Sequence, residues 1–419
     1  MPISRGIVRH KIFENVVDLV KSYVQPNLLK SASNLDKAEL ENAVLKHFPN
    51  TRVTLFPFAR TCLFATLQSL QLPERSKILM TPITIGPMVE VIESLGHEVV
   101  FVDIETESFG PCLSDLQSKL EAGAACFLLT HLFGYVSAVD QAVALCRKAG
   151  VTVIEDISHN IGSKLGDTPL GLWGDVAFYS ASLLKYVDGY NGAFAVTRNS
   201  KIAAALERSS ISLTEPDPSR VRAVVMKTLV WNLALNRIIF FALTWPALRI
   251  LKVVNRSFFE KLLGPGIPFQ RARALPNYYF EQATKLQCVT MARNLTKLSA
   301  RLALRKKMAS RASKAFGSLK GRSSSELKHG QDLLRDNTYW QFVVPVKSTE
   351  DARAALFRVG VETNTTNLRD LAFEDGIELP NARSLKSNHI FIPLHDYLQQ
   401  RDYERIFDAL GRSGQLEFR

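Results

Sequence analysis

The sequence predicts an α/β fold in which helices cover a mostly parallel sheet, followed by a smaller α+β domain. Between residues 75 and 200, short apolar runs alternate with helical stretches, and several runs carry no polar face. Strands that are apolar on both faces are typical of parallel sheets buried between helices. The chain has 419 residues, 46% of them apolar and 22% charged, which favours two or three ordered domains.

The predicted strands are short runs of apolar and β-branched residues, and helical stretches such as 139–150 separate several of them. From about residue 270 a long helical pattern leads into a Gly- and Ser-rich loop, after which three more strands predict the smaller domain. The strands are expected at 77–82, 98–104, 125–132, 151–157, 175–182, 192–197, 339–346, 360–363 and 389–394.

This pattern divides the chain into three parts. Residues 1–200 are predicted to form an N-terminal arm and the large domain, and 201–262 an apolar, basic helical insert. Residues 263–419 are predicted to form the small C-terminal α+β domain. The five cysteines are odd in number and lack a C-x-x-C pair, so neither a metal site nor a disulfide framework is indicated. The N-terminus has no secretory signal, and we expect a cytoplasmic protein.

The net charge of +12 is unevenly distributed, with ten basic residues and no acidic one between Arg293 and Arg322. Aromatic residues hardly interleave there and no nucleic-acid-binding motif is present, so no nucleic-acid partner is expected. Leu and Ala recur at helical spacing in this stretch, which favours a solvated helix face. An acidic partner or a lipid head group is the alternative.

Lys185 directly follows a run of apolar and small residues at 178–184, where burial would oppose its charge. The simpler interpretation is a side chain that reaches the surface at the end of a strand. The alternative is a lysine that is neutral part of the time, as a Schiff-base nucleophile must be.

Asp156 and His131 lie near the ends of predicted strands, where ligands of parallel sheets bind. Asp156 can simply cap the next helix, but a buried aspartate and a Schiff-base lysine together suggest pyridoxal 5'-phosphate (PLP). The protonated ring nitrogen of PLP needs an anionic partner. His159 can reach the phenolic oxygen of the cofactor or lie against its ring; alone, it would be an ordinary strand-end histidine.

A cofactor phosphate needs hydrogen-bond donors. Ser180 supplies a hydroxyl five residues before Lys185. Arg60 and Thr61 stand where a helix is predicted to begin, and the first free amides of a helix can bind an anion. Each of these signals is weak by itself.

Motifs along most of the chain occur in the order of one enzyme family. They are ARTCLFATLQSLQL, THLFGYVSAVDQAVALCRKAGVTVIEDISHNIG, PLGLWGDVAFYSASLLKYVDGYNGAFAVT, YFEQATKLQ and FIPLH. Together they resemble the DegT/DnrJ/EryC1/StrS family of PLP-dependent sugar aminotransferases, which implies the aspartate-aminotransferase-type fold (PLP transferase fold type I).

The resemblance implies a role for each candidate residue. Lys185 falls on the Schiff-base lysine, Asp156 on the partner of the ring nitrogen, and His159 on a position that often holds glutamine or histidine. Ser180 and Thr61 fall on phosphate contacts, with Arg60 beside them. These positions carry both the expected catalytic and the expected cofactor-binding residues.

Three departures from the family pattern stand out. Ile85 occupies a position where many members place an aromatic ring against the cofactor. Asn277 lies near, but not cleanly on, an asparagine that reaches the phosphate in the partner subunit. The stretch 200–262 is longer and more apolar than usual.

The resemblance implies transamination from an amino acid, by family habit glutamate, to a nucleotide-linked keto-sugar in polysaccharide or glycoside biosynthesis. It also implies a homodimer. Two alternatives stay open: a PLP-dependent sugar dehydratase, which Lys185 argues against because those relatives carry histidine there, and a non-catalytic regulator or assembly protein. The intact set of Lys185, Asp156 and Ser180 argues against the second.

The stretch 216–258 holds seven basic residues and one acid among many apolar side chains. A membrane-spanning helix is disfavoured because Arg237 and Pro246 interrupt its apolar runs. Burial in the fold or the dimer is one interpretation. Helices lying in a membrane interface, in contact with anionic lipid at the inner face of the membrane, are another.

Overall fold

A computed structural model describes residues 6–8, 12, 16–255, 257–259, 274–318 and 334–416. The strands are β1 (Arg52–Phe56), β2 (Lys77–Met80), β3 (Ile83–Thr84), β4 (Glu98–Phe101), β5 (Cys126–Thr130), β6 (Thr152–Asp156), β7 (Lys164–Leu165), β8 (Thr168–Pro169), β9 (Val176–Ser180), β10 (Ala193–Thr197), β11 (Arg335–Asp336), β12 (Phe342–Pro345), β13 (Arg369–Asp370) and β14 (His389–Ile392).

Helices account for most of the other ordered segments. They are α1 (Val16–Val24), α2 (Asn34–Leu45), α3 (Ala59–Ser69), α4 (Gly86–Ser94), α5 (Leu113–Glu121), α6 (Val139–Lys148), α7 (Ser200–Ile211), α8 (Pro218–Leu235), α9 (Arg237–Ile239), α10 (Trp245–Val254), α11 (Lys285–Thr296), α12 (Leu298–Gly317), α13 (Thr349–Arg358), α14 (Leu371–Glu374), α15 (Pro380–Ser387) and α16 (Gln400–Arg412). Short 3-10 helices lie at Pro26–Leu29 and Asn277–Phe280, and one π-helical turn at Phe240–Thr244.

A seven-stranded sheet forms the centre of the large domain, in the order β1-β10-β9-β6-β5-β2-β4. Strands β9, β6, β5, β2 and β4 pair in parallel, whereas β10 runs antiparallel to both of its neighbours. The carboxyl ends of β5, β6 and β9 therefore meet at one edge of the sheet, which is where the candidate site lies.

Apolar side chains on both faces of this sheet are covered by helices, because the central strands carry no polar face to present to water. All five residues of β5 are buried. One core includes Phe127 and Val153 with α6 and α11, and the other includes Leu128 and Ile154 with α3 and α4. The predicted α/β class with a mostly parallel sheet is confirmed.

The C-terminal part of the chain has its own apolar core. Strands β12 and β14 pair antiparallel, and helices α12, α13 and α16 pack around them. Ile7 from the N-terminal arm joins this core, because its main chain pairs with Val361. The division of the chain at residues 200 and 262 stays a prediction.

The prediction from the sequence misses the two-residue strands β3, β7, β8, β11 and β13, and it differs from the structure in three larger elements. Strand β1 was not expected, and it pairs at the edge of the sheet with β10. The stretch 360–363 contributes only the single bridge of Val361 instead of a strand. The long helical pattern after residue 270 is two helices, α11 and α12, separated at Lys297. All five cysteines are free thiols.

The apolar, basic segment after α7 is a broken run of helices. Helix α8 ends at Asn236, whose side chain caps α9, and a π-helical turn then precedes α10. Phe240 and Trp245 turn inward and form a cluster with Val8. Among the helices that the structure describes, none combines the length and apolar composition needed to cross a bilayer.

Candidate active site

A cavity of about 170 Å³ opens at the carboxyl ends of β5, β6 and β9. It combines strand-end residues with the first turn of α3 and the turn after β9. Its lining comprises Phe58, Ala59, Arg60, Thr84, Ile85, Met88, Thr130, His131, Asp156, Ser158, His159, Ser180, Ser182, Lys185, Asn191 and Leu368.

Lys185 follows β9 in a tight turn. Its N–H donates to the carbonyl of Ser182 at 3.2 Å, and Leu184 before it adopts a left-handed conformation with φ of 75°. The Lys185 side chain is 9% exposed and does not extend to the surface. Burial lowers the pKa of its amine to about 7, and the negative charge of Asp156 opposes that shift. A substantial fraction of the amine is therefore neutral near physiological pH.

Asp156 ends β6 and is buried. Its Oδ1 accepts the N–H of Ser158 at 2.9 Å, and the Ser158 hydroxyl accepts the N–H of Ser180 at 3.1 Å. Burial raises the pKa of the Asp156 carboxyl, while Ser158 and the positive charge of Lys185 act in the opposite direction. Asp156 thus caps the turn at 156–158 and also faces the cavity.

His159 lines the cavity and is held by Phe133 and Trp340. Its Nδ1 accepts the N–H of Phe133 at 3.3 Å, so the proton of the neutral ring is assigned to Nε2. The indole of Trp340 stacks on its ring with centroids 3.8 Å apart. Burial, and then the charge of Lys185, hold the pKa of His159 well below its usual value. His159 is therefore a neutral donor.

Helix α3 begins at the cavity without a side-chain cap, so its first turn presents free amides toward an anion. Arg60 lies in this turn. Its guanidinium packs over the rings of Phe58, 4.4 Å from the centroid, and Tyr279, at 4.3 Å. Its buried Nε has no hydrogen-bond partner within the described chain.

The remaining predicted residues divide into two groups. Ser180 and Ile85 line the cavity, Ile85 with its apolar side chain. Thr61 does not, because its hydroxyl donates to the carbonyl of Tyr279 at 2.7 Å. Asn277 is exposed at the start of a 3-10 helix and is also outside the lining. The roles assigned to these residues stay predictions.

Sequence reasoning assigned no role to several lining residues. Ser158 stands two positions after Asp156, so the sequence already places a hydroxyl just beyond the end of β6, where a site residue is expected. Asn191 had no such signal. Trp340, which lines the adjoining cavity described next, had none either, since it comes to Lys185 only through the fold.

A second cavity of about 190 Å³ adjoins the first and shares Lys185, His159 and Ser182 with it. Its wall from the C-terminal part of the chain carries no charged side chain and combines apolar residues with five polar ones. That wall includes Gln341, Asn364, Thr365, Thr366 and Asn367.

The sequence pattern of the DegT/DnrJ/EryC1/StrS aminotransferase family matches residues 16–214, the segment that contains Asp156, His159 and Lys185. This segment carries the sequence pattern of the family. The family resemblance inferred from the motifs is thereby confirmed. The match supports the candidate site, because three of its central residues lie in the matched segment.

Two curated relatives of the family carry enzyme names. GDP-perosamine synthase of Escherichia coli O157:H7 is 26% identical over 137 residues, which cover 33% of this chain and 38% of the relative. The dTDP-4-dehydro-2,3,6-trideoxy-D-glucose 4-aminotransferase of Saccharopolyspora spinosa is 29% identical over 133 residues, covering 32% and 34%. The matched segments thus span only about a third of either relative.

The fold extends over nearly the whole chain. The aminotransferase TlmJ from Streptoalloteichus hindustanus superimposes with a TM-score of 0.70 at 16% identity, covering 98% of both chains. This likeness extends the family fold beyond residue 214.

Proposed function

We propose that this chain is a PLP-dependent aminotransferase that moves an amino group from an amino acid, glutamate by family habit, to a keto-sugar linked to a nucleotide. The observation that carries the proposal is the pairing of Lys185 and Asp156 in one buried cavity. A lysine amine that is partly neutral near pH 7 beside a buried carboxylate suits covalent cofactor chemistry.

The residues present fit PLP. Asp156 would hold the ring nitrogen, and the uncapped start of α3 with Arg60 and Ser180 would hold the phosphate. The unpartnered Nε of Arg60 supports an anion at this position. Ile85 offers an apolar contact to the cofactor in place of an aromatic ring. Thr61 and Asn277 lie outside the cavity lining. They would contact the phosphate only if their positions changed, for example in an assembled dimer.

When bound, PLP supplies an electron-accepting ring that stabilises negative charge at the α-carbon of the substrate. Lys185 would bind the cofactor covalently and, once displaced by the amino donor, would carry a proton to and from that α-carbon. Asp156 would keep the ring nitrogen protonated. The Nε2–H of His159 would donate to the phenolic oxygen of the cofactor.

The second cavity supports a sugar as the acceptor. Amide and hydroxyl groups suit the hydroxyls of a sugar, and this wall offers them close to Lys185. We infer an acceptor on a route to a polysaccharide or a glycosylated product. A dehydratase remains disfavoured, because a lysine rather than a histidine occupies position 185. A non-catalytic regulator remains disfavoured, because Lys185 and Asp156 are both buried at the cavity.

We also infer a homodimer in the cytoplasm. The exposed Asn277, on the same short 3-10 helix as the Tyr279 that contacts Arg60, would face the partner subunit in this arrangement. Sedimentation equilibrium of the purified chain checks the dimer, and a monomer at micromolar concentration contradicts it.

We further propose that the segment 216–258 contacts anionic lipid at the inner face of the membrane. Apolar side chains on α8, α10 and the turns between them are exposed, with Val253 86% and Ile250 64% accessible. Residues 218–255 include no acidic residue, so a second copy of this surface would meet like charges. Anionic lipid satisfies both the apolar and the basic side chains. The exposed apolar surface consists of Met226, Val230, Leu233, Ile238, Phe241, Leu243, Ile250, Val253, Val254 and Phe258.

Substitution of Lys185 tests the proposed reaction. The wild type incubated with PLP and then borohydride should carry the cofactor on the Lys185 peptide, detected by mass spectrometry. Lys185→Ala should lose this label and lower turnover by orders of magnitude. Lys185→Arg should behave alike, because a guanidinium stays protonated. An unlabelled wild type, or normal turnover in either variant, refutes the proposal.

A further inference from the structure

Trp340 contacts both side chains that would carry the proton chemistry of the site. Its indole is nearly parallel to the His159 ring, with centroids 3.8 Å apart and an interplanar angle of 17°. The Nζ of Lys185 lies 4.3 Å from the centroid of the same indole. We propose that Trp340 is a positioning residue that fixes the ring plane of His159 and holds the amine of Lys185 at its indole. The roles of Lys185 and His159 in this proposal rest on the proposed function.

Hydrogen bonds hold both the main chain around Trp340 and its indole. The Arg305 guanidinium donates to the carbonyl of Trp340 at 2.5 Å, and the N–H of Gln341 donates to the carbonyl of Phe133 at 3.0 Å. The indole Nε1–H donates to the carbonyl of Leu184 at 3.1 Å. Leu184 directly precedes Lys185, so the indole is tied to the turn that carries the lysine.

The stacking restricts what His159 can do. Trp340 covers a face of the imidazole, and the N–H of Phe133 occupies Nδ1. The Nε2–H is the remaining ring donor. Of the two roles considered from the sequence, hydrogen bonding to the cofactor is therefore retained, and Trp340 leaves at most one face of the His159 ring for stacking against the cofactor.

The indole also affects the charge of Lys185. An aromatic face attracts an ammonium group, whereas burial disfavours it. Trp340 is thus one of the groups that let a buried lysine bind a proton. An apolar side chain of similar bulk would preserve the burial and remove that attraction.

Reductive methylation measures the charge of Lys185 without any cofactor. The full-length protein, freed of cofactor, reacts with formaldehyde and cyanoborohydride across a pH series, and mass spectrometry follows the Lys185 peptide. In Trp340→Leu the midpoint of this profile should fall by roughly half to one pH unit, since a cation–π contact of this kind is worth about one pH unit or less. Trp340→Phe should shift the midpoint less. Trp173 lines neither cavity, so Trp173→Phe should leave the midpoint unchanged.

An unchanged or raised midpoint in Trp340→Leu overturns the proposal. If circular dichroism reveals that Trp340→Leu does not fold, Trp340→Met decides, because its side chain is apolar and carries no ring, and an unchanged midpoint in that variant overturns the proposal. A wild type that never binds PLP at Lys185 would refute the proposed function instead. The methylation profile would then still report on Trp340, because it needs no cofactor.

Discussion

The carboxylate of Glu155 and the imidazole of His131 form a fully buried pair, with Oε2 and Nε2 2.9 Å apart. Glu155 also accepts three main-chain N–H groups, from Gly171, Trp173 and Gly174, at 2.7 to 2.8 Å. The N–H of His131 donates to the carbonyl of Asp156 at 3.0 Å. Glu155 therefore joins the loop at 171–174 to the strand ends on which the cavity is built.

Substitution of Glu155 should destabilise the fold. Glu155→Ala leaves His131 and three buried N–H groups unpartnered, and we expect a loss of about 3–5 kcal/mol in the free energy of unfolding. Urea unfolding measures it. Glu207→Ala, at an exposed position on α7, is the matched control and should change stability by less than about 0.5 kcal/mol. Equal losses of unfolding free energy in the two variants would contradict the structural role given to Glu155.

Lys185 should make stability depend on pH. Its pKa is lowered to about 7 in the folded protein, from an ordinary value of 10.5 in the unfolded chain. Between these values the unfolded chain binds the extra proton, so the stability of the wild type rises with pH. Lys185→Met removes this contribution. The wild type minus variant difference in free energy of unfolding, measured without cofactor, should be lowest below about pH 7 and should rise toward about pH 10. A flat difference would contradict the lowered pKa.

Asp156→Asn should keep the fold and lose turnover. The side-chain oxygen of asparagine can still accept the N–H of Ser158, so the turn survives. The neutral amide cannot hold a protonated ring nitrogen, and we expect kcat to fall about 100-fold or more with little change in the KM of the acceptor. Asp140→Asn, at an exposed position on α6, should retain normal rates. If Asp156→Asn retains full turnover, the carboxylate serves only as a cap.

Gly134 should be required for the placement of Trp340. Gly134 has φ of 86°, and a Cβ there would lie 2.3 Å from the main-chain nitrogen of Trp340. Gly134→Ala should cost about 3 kcal/mol of stability, from strain and from the displaced main chain. Gly150→Ala has a similar φ of 68° but nothing within 4 Å of the added carbon, so only about 1 kcal/mol is expected. Thermal unfolding compares the two, and equal shifts would argue against the close approach.

Liposome flotation tests the contact with lipid. The protein should float with anionic vesicles at low salt, less at high salt, and not with neutral vesicles. Combined substitution of Ile250, Val253 and Val254 with serine should reduce flotation. Ile211 is an exposed apolar residue on α7, and Ile211→Ser should leave flotation unchanged. Absence of flotation at low salt would assign this surface to protein contacts.

The choice of these positions depends on the structure. In the sequence alone, the aromatic residues Trp231, Phe240, Phe241 and Trp245 all qualify as candidates for lipid contact. Phe240 and Trp245 are both 2% exposed, and Trp245 packs against Phe357. Their substitution would test folding rather than binding. The burial of Phe240 and Trp245 follows from the π-helical turn, because this turn changes the angle between successive side chains from that of a continuous α-helix.

The centre of the site was predictable because its chemistry lies at strand ends. Asp156, His159, Ser180 and Lys185 are close in sequence and follow adjacent parallel strands, so the apolar runs alone bring them together. The contribution of Trp340 was not predictable. Trp340 reaches Lys185 because its main chain packs closely against the turn at Gly134. A close approach between two distant segments leaves no periodic signal in the sequence.

The edge strand β1 was missed for a related reason. It has only five residues, begins with a charged arginine and has a single strand neighbour, so it lacks the long apolar run of the central strands. Its pairing with β10 depends on a strand that lies far along the chain.

The N-terminal arm contacts residues far along the chain in the completed fold, and this affects when the arm can dock during synthesis. His395 bonds the carbonyl of Val8 across 387 positions, and the main chain of Ile7 pairs with Val361. The arm is translated before both partners, so its contacts with Val361 and His395 form only after those residues have been made. Val8 also packs against Phe240 and Trp245, which are translated earlier than Val361 and His395. The arm can therefore meet part of its binding surface early, but it reaches its final position only when the C-terminal part of the fold has formed.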